Sequence, residues 1–184
     1  MKQPGNSPKP TLIDHAILGL ISARGMSGYG IRKVFETTAM GNYGSSPGTI
    51  YPALKRLQRL GLTEKRKSKE DGKNKFYITP HGKKIFKSWL TRPLGLNDVA
   101  RKLDEILLRF AFMDILPGKK PKVLFLQSLS NLLSIYIEQL KEFRKKEYDN
   151  LPLLGRLSFE HGIESYKTTL KWCKNTLPLF TKIN

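Results

Sequence analysis

Ser46-Pro47-Gly48-Thr49-Ile50-Tyr51-Pro52-Ala53-Leu54-Lys55-Arg56-Leu57 is the stretch from which the rest of the chain can be read. At about 100° per residue, Ile50, Leu54 and Leu57 fall on one side of a helix. Gly48, Pro52, Lys55 and Arg59 fall on the other, flanked by Tyr51 and Arg56. Ser46 is suited to accept a hydrogen bond from a free backbone N–H, and Pro47 fits the first helical position, where no N–H is needed. A helix that packs by its hydrophobes and turns Lys and Arg outward suits a polyanion. Pro52 removes one helical hydrogen bond, so the regular helix either starts late or bends there.

On the C-terminal side the helix over 46–60 stops at Gly61, and the pattern changes period. Residues 62–68 and 75–79 are strand-like, joined by Lys69 to Asn74 with Asp71-Gly72 as the hairpin turn. Thr79-Pro80 caps a further helix striped by Ile85, Phe86, Trp89 and Leu90. On the N-terminal side, residues 1–10 read as a loose tail. Leu12, Ile13, Ala16, Ile17, Leu20 and Ile21 predict a first helix of about eleven residues. Ser27 caps a second over 28–38 with Ile31, Val34 and Phe35 inward, and 41–46 connect it to the third. Three helices, a β-hairpin and a helix are the order of a winged helix-turn-helix, with 46–60 as recognition helix.

Arg92-Pro93-Leu94-Gly95 reads as a boundary. Beyond it, residues 98–115 carry a wide apolar stripe at Val99, Leu103, Ile106, Leu107 and Phe110. Residues 122–148 place Phe125, Leu129, Leu132, Tyr136, Leu140 and Phe143 three and four apart. Leu151-Pro152 and Gly155 break that helix, and a last one runs to Pro178 with Phe159, Ile163, Tyr166, Leu170, Cys173 and Leu177 in coiled-coil-like steps. Long helices of this kind rarely bury their seam alone. The predicted fold is therefore mainly α with a small β-hairpin wing. It comprises a tail (1–10), a winged-helix DNA-binding domain (11–92) and a helical dimerisation domain (93–184). The dimer seam is expected at Leu103, Ile106, Leu107, Phe110, Phe159, Ile163, Tyr166 and Leu170.

Charge agrees with this division. The 184 residues hold 33 Lys and Arg against 15 Asp and Glu, a formal charge of +18. Residues 1–92 hold 18 of the basic and 5 of the acidic side chains, so the excess that seeks an anion lies mostly in the first half. The single cysteine, Cys173, excludes an internal disulfide and a cysteine-based zinc cluster, which fits a reducing cytoplasm. No apolar run is long enough to span a bilayer, and no hydrophobic signal core opens the chain. Neither a phosphate-binding glycine loop, nor a nucleophile elbow, nor a carboxylate pair at sensible spacing points to an enzyme.

At these residues the chain resembles the PadR family of transcriptional regulators. The resemblance covers about 12–90 closely: Ala16-Ile17-Leu18-Gly19-Leu20-Ile21, Ser27-Gly28-Tyr29-Gly30-Ile31, the run Ser46 to Leu57, and Lys75-Phe76-Tyr77-Ile78-Thr79-Pro80-His81-Gly82. The C-terminal half resembles the family's long-tailed members more weakly, best at Asp104 to Phe110. The resemblance implies a dimeric DNA-binding repressor, often released by a small molecule or other stress signal.

The expected partner is double-stranded DNA carrying a palindromic operator, bound by a cytoplasmic homodimer. Thr49, Tyr51 and Lys55 would reach base edges. Gly48 and Pro52 would either let the backbone approach the DNA closely or merely define the helix start, and Ser46 belongs to the expected contact set with Gly48. Arg56, Arg59, Tyr29, Lys67, Lys69, Lys73 and Lys75 would meet phosphate. Tyr77 reads as a core edge. No cofactor is expected, and His15, His81 and His161 are too scattered to hold a metal. Cys173 reads as core before it reads as a redox sensor. Trp89 and Trp172 read as core before they read as the lining of a pocket for a small aromatic effector. A reading from a different class keeps the winged helix as a protein-interaction or RNA-binding module.

Overall fold

The computed structural model describes residues 9–43 and 46–181. The first eight residues of the tail expected over 1–10, and the loop residues Gly44 and Ser45, lie outside the described residues. The chain folds as two compact units that join in sequence between Thr91 and Arg92.

The first unit is a winged helix-turn-helix. Its elements are α1 (Leu12–Leu20), α2 (Gly28–Thr37), α3 (Pro47–Arg59), β1 (Thr63–Lys67), β2 (Asn74–Ile78) and α4 (Pro80–Thr91). Local chemistry sets several of these ends. The Ser27 hydroxyl accepts the Gly30 amide at 3.0 Å and opens α2. The Thr79 hydroxyl accepts the Gly82 amide at 3.0 Å and opens α4, while donating to the Gly61 carbonyl at 2.7 Å. Gly61 ends α3 at φ +68°, a left-handed conformation that glycine adopts without penalty.

β1 and β2 pair antiparallel, Thr63 opposite Ile78 through Lys67 opposite Asn74. The turn between them has Gly72 at φ +65°, and Asp71 accepts the Lys73 amide at 3.1 Å. Met26, just before α2, forms an isolated bridge to Phe76 that sequence periodicity did not signal. The core is built from Ala16, Ile17 and Leu18 of α1, Ile31 and Phe35 of α2, Ile50, Leu54 and Leu57 of α3, and Phe86 and Leu90 of α4, all buried. Each of these Ile, Leu and Phe side chains contributes about 1.5–3 kcal/mol of transfer free energy, so the inward face of α3 is fixed by its hydrophobes.

One reading of this unit is corrected and another is narrowed. Ser46 makes no side-chain cap to the backbone: its hydroxyl meets the Thr49 hydroxyl at 2.9 Å, and its carbonyl accepts the Thr49 and Ile50 amides. Of the two alternatives for Pro52, the late start is excluded, for α3 runs without interruption from Pro47 through Arg59. The proline ring crowds the carbonyl four residues back, here that of exposed Gly48, which water can satisfy.

The second unit is helical throughout its described residues: α5 (Leu96–Arg101), α6 (Leu103–Ala111), α7 (Lys120–Glu147), α8 (Leu153–Thr176) and a short α9 (Pro178–Thr181). Phe143 packs on Phe159 and Tyr136 on Tyr166, so α7 and α8 run antiparallel. Phe110 of α6 sits amid Phe125, Trp172 and Phe180. The helix expected over 98–115 is instead α5 and α6 with a break at Lys102 (φ −140°, ψ 35°), followed by a 3-10 turn at Met113–Ile115. Val99 on α5 and Ile106 on α6 are both buried. Gly155 does not break a helix. It sits in the first turn of α8, after Pro152 at the N-cap, where amides lack helical partners in any case. α8 ends at Thr176, just ahead of Pro178 as expected, and Pro178 then opens the short α9.

Buried Arg109 donates to the carbonyl of Arg92 and lies 5.4 Å over the Phe125 ring. Burial, with Arg92 nearby, pushes its pKa down to about 10. Among the described residues, no helix is long and apolar enough to cross a membrane.

Candidate nucleic-acid interface

The outward face of α3 carries Gly48, Tyr51, Pro52, Lys55, Gln58 and Arg59, all exposed. Tyr51 is 42% exposed and Tyr29, at the start of α2, is 61% exposed. With Lys55, Gln58, Lys65 and Phe76 they border a recess of about 270 Å³ between α2, α3 and the hairpin. Gly28 leaves room for the Tyr51 ring: a Cβ there would lie 3.0 Å from it, and the ring would have to give by a few tenths of an ångström. Thr49 is half-buried, and its hydroxyl is engaged by Ser46. Gln58 and Lys65 stood outside the expected contact set. Gln58 follows Tyr51 and Lys55 on the same helical face, so its spacing carried the signal.

Arg56 turns away from this face. Its Nε donates to Asp14 Oδ2 at 2.8 Å and its Nη2 to Asp14 Oδ1 at 2.7 Å, with a further bond to the Thr11 hydroxyl at 3.1 Å. The Asp14 hydrogen bond raises the Arg56 pKa, while burial opposes the rise. Arg56, expected at phosphate, is thus a structural tie between α3 and α1. Lys75, also expected at phosphate, is paired with carboxylates of the wing. Its ammonium lies 3.1 Å from Asp71 and 3.6 Å from Glu70, and the Asp71 hydrogen bond raises its pKa. It holds the turn of the wing. Lys67, Lys69 and Lys73 remain exposed along the hairpin, and Arg59 at the end of α3.

Tyr77 is half-buried, with the Arg66 guanidinium 4.1 Å over its ring. His15 stacks on Trp89 at 4.4 Å, and Trp89 stacks on Phe86, so that tryptophan packs within its own unit. His81 and His161 are exposed. Among the described residues, no three His, Cys, Asp or Glu gather as a metal site would require. Cys173 is buried, and burial pushes its thiol up to about 11, which removes the thiolate a sensor needs.

The expected dimer seam is largely covered by its own chain. Ile106 and Ile163 are buried, Phe110 and Phe159 pack on intrachain aromatics, and Leu103 and Leu170 are half-buried. The Tyr166 hydroxyl donates to the Ala100 carbonyl at 3.3 Å. Of the set only Leu107 is exposed. The apolar surface of this unit lies elsewhere. Leu153, Leu154 and Leu157 on α8 are 68%, 75% and 57% exposed, and Ile135 and Phe143 on α7 are also exposed.

Residues 17–88 match the transcriptional regulator PadR-like family. The chain is 24% identical over 181 residues to the negative transcriptional regulator PadR of Bacillus subtilis, covering 93% of this chain and 98% of that protein. It is 39% identical over 66 residues to the transcriptional regulator YqjI of Escherichia coli, which is 36% of this chain and 31% of that protein. A crystal structure of Bacillus subtilis PadR in complex with operator DNA aligns over 92% of this chain and 99% of its own, at 22% identity and a TM-score of 0.41. A PadR-like regulator from Bacillus cereus aligns over 92% of this chain at 25% identity and a TM-score of 0.40.

Proposed function

We propose, from the PadR-like domain that residues 17–88 form, that the chain is a sequence-specific DNA-binding repressor acting as a cytoplasmic homodimer. The observation that carries this is the outward face of α3. It presents Tyr51, Lys55 and Arg59 beside a wing bearing Lys65, Lys67, Lys69 and Lys73, while its one inward-turned cation, Arg56, is used inside the fold. Tyr51, Lys55 and Gln58 read base edges, and the wing lysines and Tyr29 meet phosphate. Likeness along nearly the whole length to a negative transcriptional regulator supports repression.

The helical unit forms the dimer through the exposed Leu153, Leu154 and Leu157 of α8, with Ile135 and Phe143 of α7. Two recognition helices then enter major grooves about 34 Å apart on a palindromic site. A small aromatic effector releases the DNA, and the role is regulation by binding, with no catalytic step. The test is selection of bound duplexes from a random library by the full chain. A palindromic consensus is expected. Equal retention of all duplexes would overturn sequence specificity, and a single unrepeated half-site would overturn the dimer.

A further inference from the structure

The wing has two faces, and only one borders the recognition helix. Side chains alternate along β1 and β2. Lys65 and Phe76 are register partners and line the recess beside Tyr51 and Lys55. The next pair, Arg66 and Lys75, lines a second recess of about 480 Å³ on the hairpin's other face. The loop from Ser22 to Met26 lines it too, with Lys83 of α4. That loop is tied to the hairpin, because Met26 and Phe76 exchange backbone hydrogen bonds at 3.1 and 2.8 Å.

The lining carries four cations, Arg24, Arg66, Lys75 and Lys83, and a single acid, Glu70. Lys75 is occupied by Asp71 and Glu70 and serves to hold the turn. The Arg66 guanidinium carbon lies 4.1 Å from the centre of the Tyr77 ring, and the side chain is well exposed, so it is within reach of an anion in the recess. Glu64 approaches Arg66 at 3.5 Å, but both are well exposed, and such a pair is weak in water. Met26 and Ile78 add an apolar patch.

We propose that this recess binds a small organic phosphate of about mononucleotide size. Arg24, Arg66 and Lys83 hold the phosphate, and Met26 and Ile78 cover the apolar part. Several separate cations suit a polyanion better than a single carboxylate, and a guanidinium edge matches phosphate oxygens. The volume lies within the usual range for small-ligand sites. Binding here stands apart from the DNA reading, because it is measured with no DNA present.

The experiment is calorimetric titration of the full chain with ATP at physiological salt, with adenosine in a separate run. Saturable one-to-one ATP binding is expected, with adenosine inert. Arg66→Ala and Lys83→Ala should each weaken it about tenfold, and Lys87→Ala, a charge removed elsewhere on α4, should not. If Arg66→Ala fails to fold by circular dichroism, Arg24→Ala reads the same wall. Absence of saturation, or an equal loss in Lys87→Ala, would mean a general polycation effect and overturn the proposal. So would a Lys83→Ala chain that loses affinity for every duplex as Lys67→Ala does, since the recess would then be a contact for the DNA backbone.

Discussion

Arg56 and Asp14, 42 residues apart, form a two-pronged ion pair at 2.7 and 2.8 Å, with the Asp14 carboxylate fully buried. The same carboxylate accepts the Thr11 amide at 2.8 Å, so one group closes the start of α1 and fixes the roll of α3. Arg56→Ala leaves a buried carboxylate without its cation and should cost about 3 kcal/mol. Urea denaturation checks this. The double change of Arg56→Met with Asp14→Asn should recover part of the loss, because no uncompensated charge then remains and the amide oxygen can still accept from Thr11. If the double variant were no better than Arg56→Ala, the charge argument would fail.

The two classes of DNA contact separate by their response to salt and sequence. Lys67→Ala and Lys69→Ala should weaken binding to operator and random duplex alike, and each should flatten the log K against log salt slope by about 0.9. Tyr51→Ala or Lys55→Ala should instead shrink the difference between the two duplexes by about 1–3 kcal/mol. Fluorescence anisotropy over a salt series reads both quantities.

The dimer and the core of the helical unit are separable by substitution. Leu154→Glu with Leu157→Glu should halve the mass measured by light scattering and leave helicity intact. Ile163→Ala should do the opposite, costing about 2–4 kcal/mol of unfolding free energy through the cavity it leaves, with dimer mass retained. Monomers produced by Ile163→Ala alone would return the seam to the buried stripe.

Two glycines should respond to alanine with opposite sign. A Cβ at Gly82 would come within 2.1 Å of the Leu62 carbonyl oxygen, so Gly82→Ala must push α4 off the strand and should cost at least about 1–3 kcal/mol. Gly162 lies inside α8 with nothing within 4 Å of the added atom, and Gly162→Ala should gain about 0.5–1 kcal/mol. Thermal melts of the two variants give the comparison.

Cys173, pushed up to about 11 by burial, is protonated at pH 8. Its thiol should react with a disulfide reagent only on addition of denaturant, and peroxide should leave DNA affinity unchanged. Fast labelling of the folded chain would contradict the burial.

The parts of the fold legible in the sequence are those decided by neighbours along the chain. Ser27 and Thr79 cap the helices that follow them, and Asp71-Gly72 turns the hairpin, because each acts over two or three residues. Arg56 was misread for the complementary reason. Periodicity places it at the flank of α3, but only the tertiary fold brings α1's buried carboxylate to it. Lys75 shows the same limit over a shorter span, since its partners sit across a turn whose geometry must already be formed. In the helical unit, an apolar stripe marks what can be buried without naming the partner. Ile106 and Ile163 are covered by their own chain, and Leu153 and Leu154 are left outside. The break at Lys102 has no proline or glycine to announce it, so periodicity alone reads one helix where the chain forms two.

The contact between Gly28 and Tyr51 has a bearing on affinity rather than on stability. A surface tyrosine that must be ordered on docking gives up rotamer freedom at that moment. Here the bare backbone of α2's first turn admits the ring closely on one side, so part of that freedom is already lost in the unbound fold. On the proposed reading of α3, its face meets DNA partly preorganised, and the residue that contributes to this has no side chain and need touch no base.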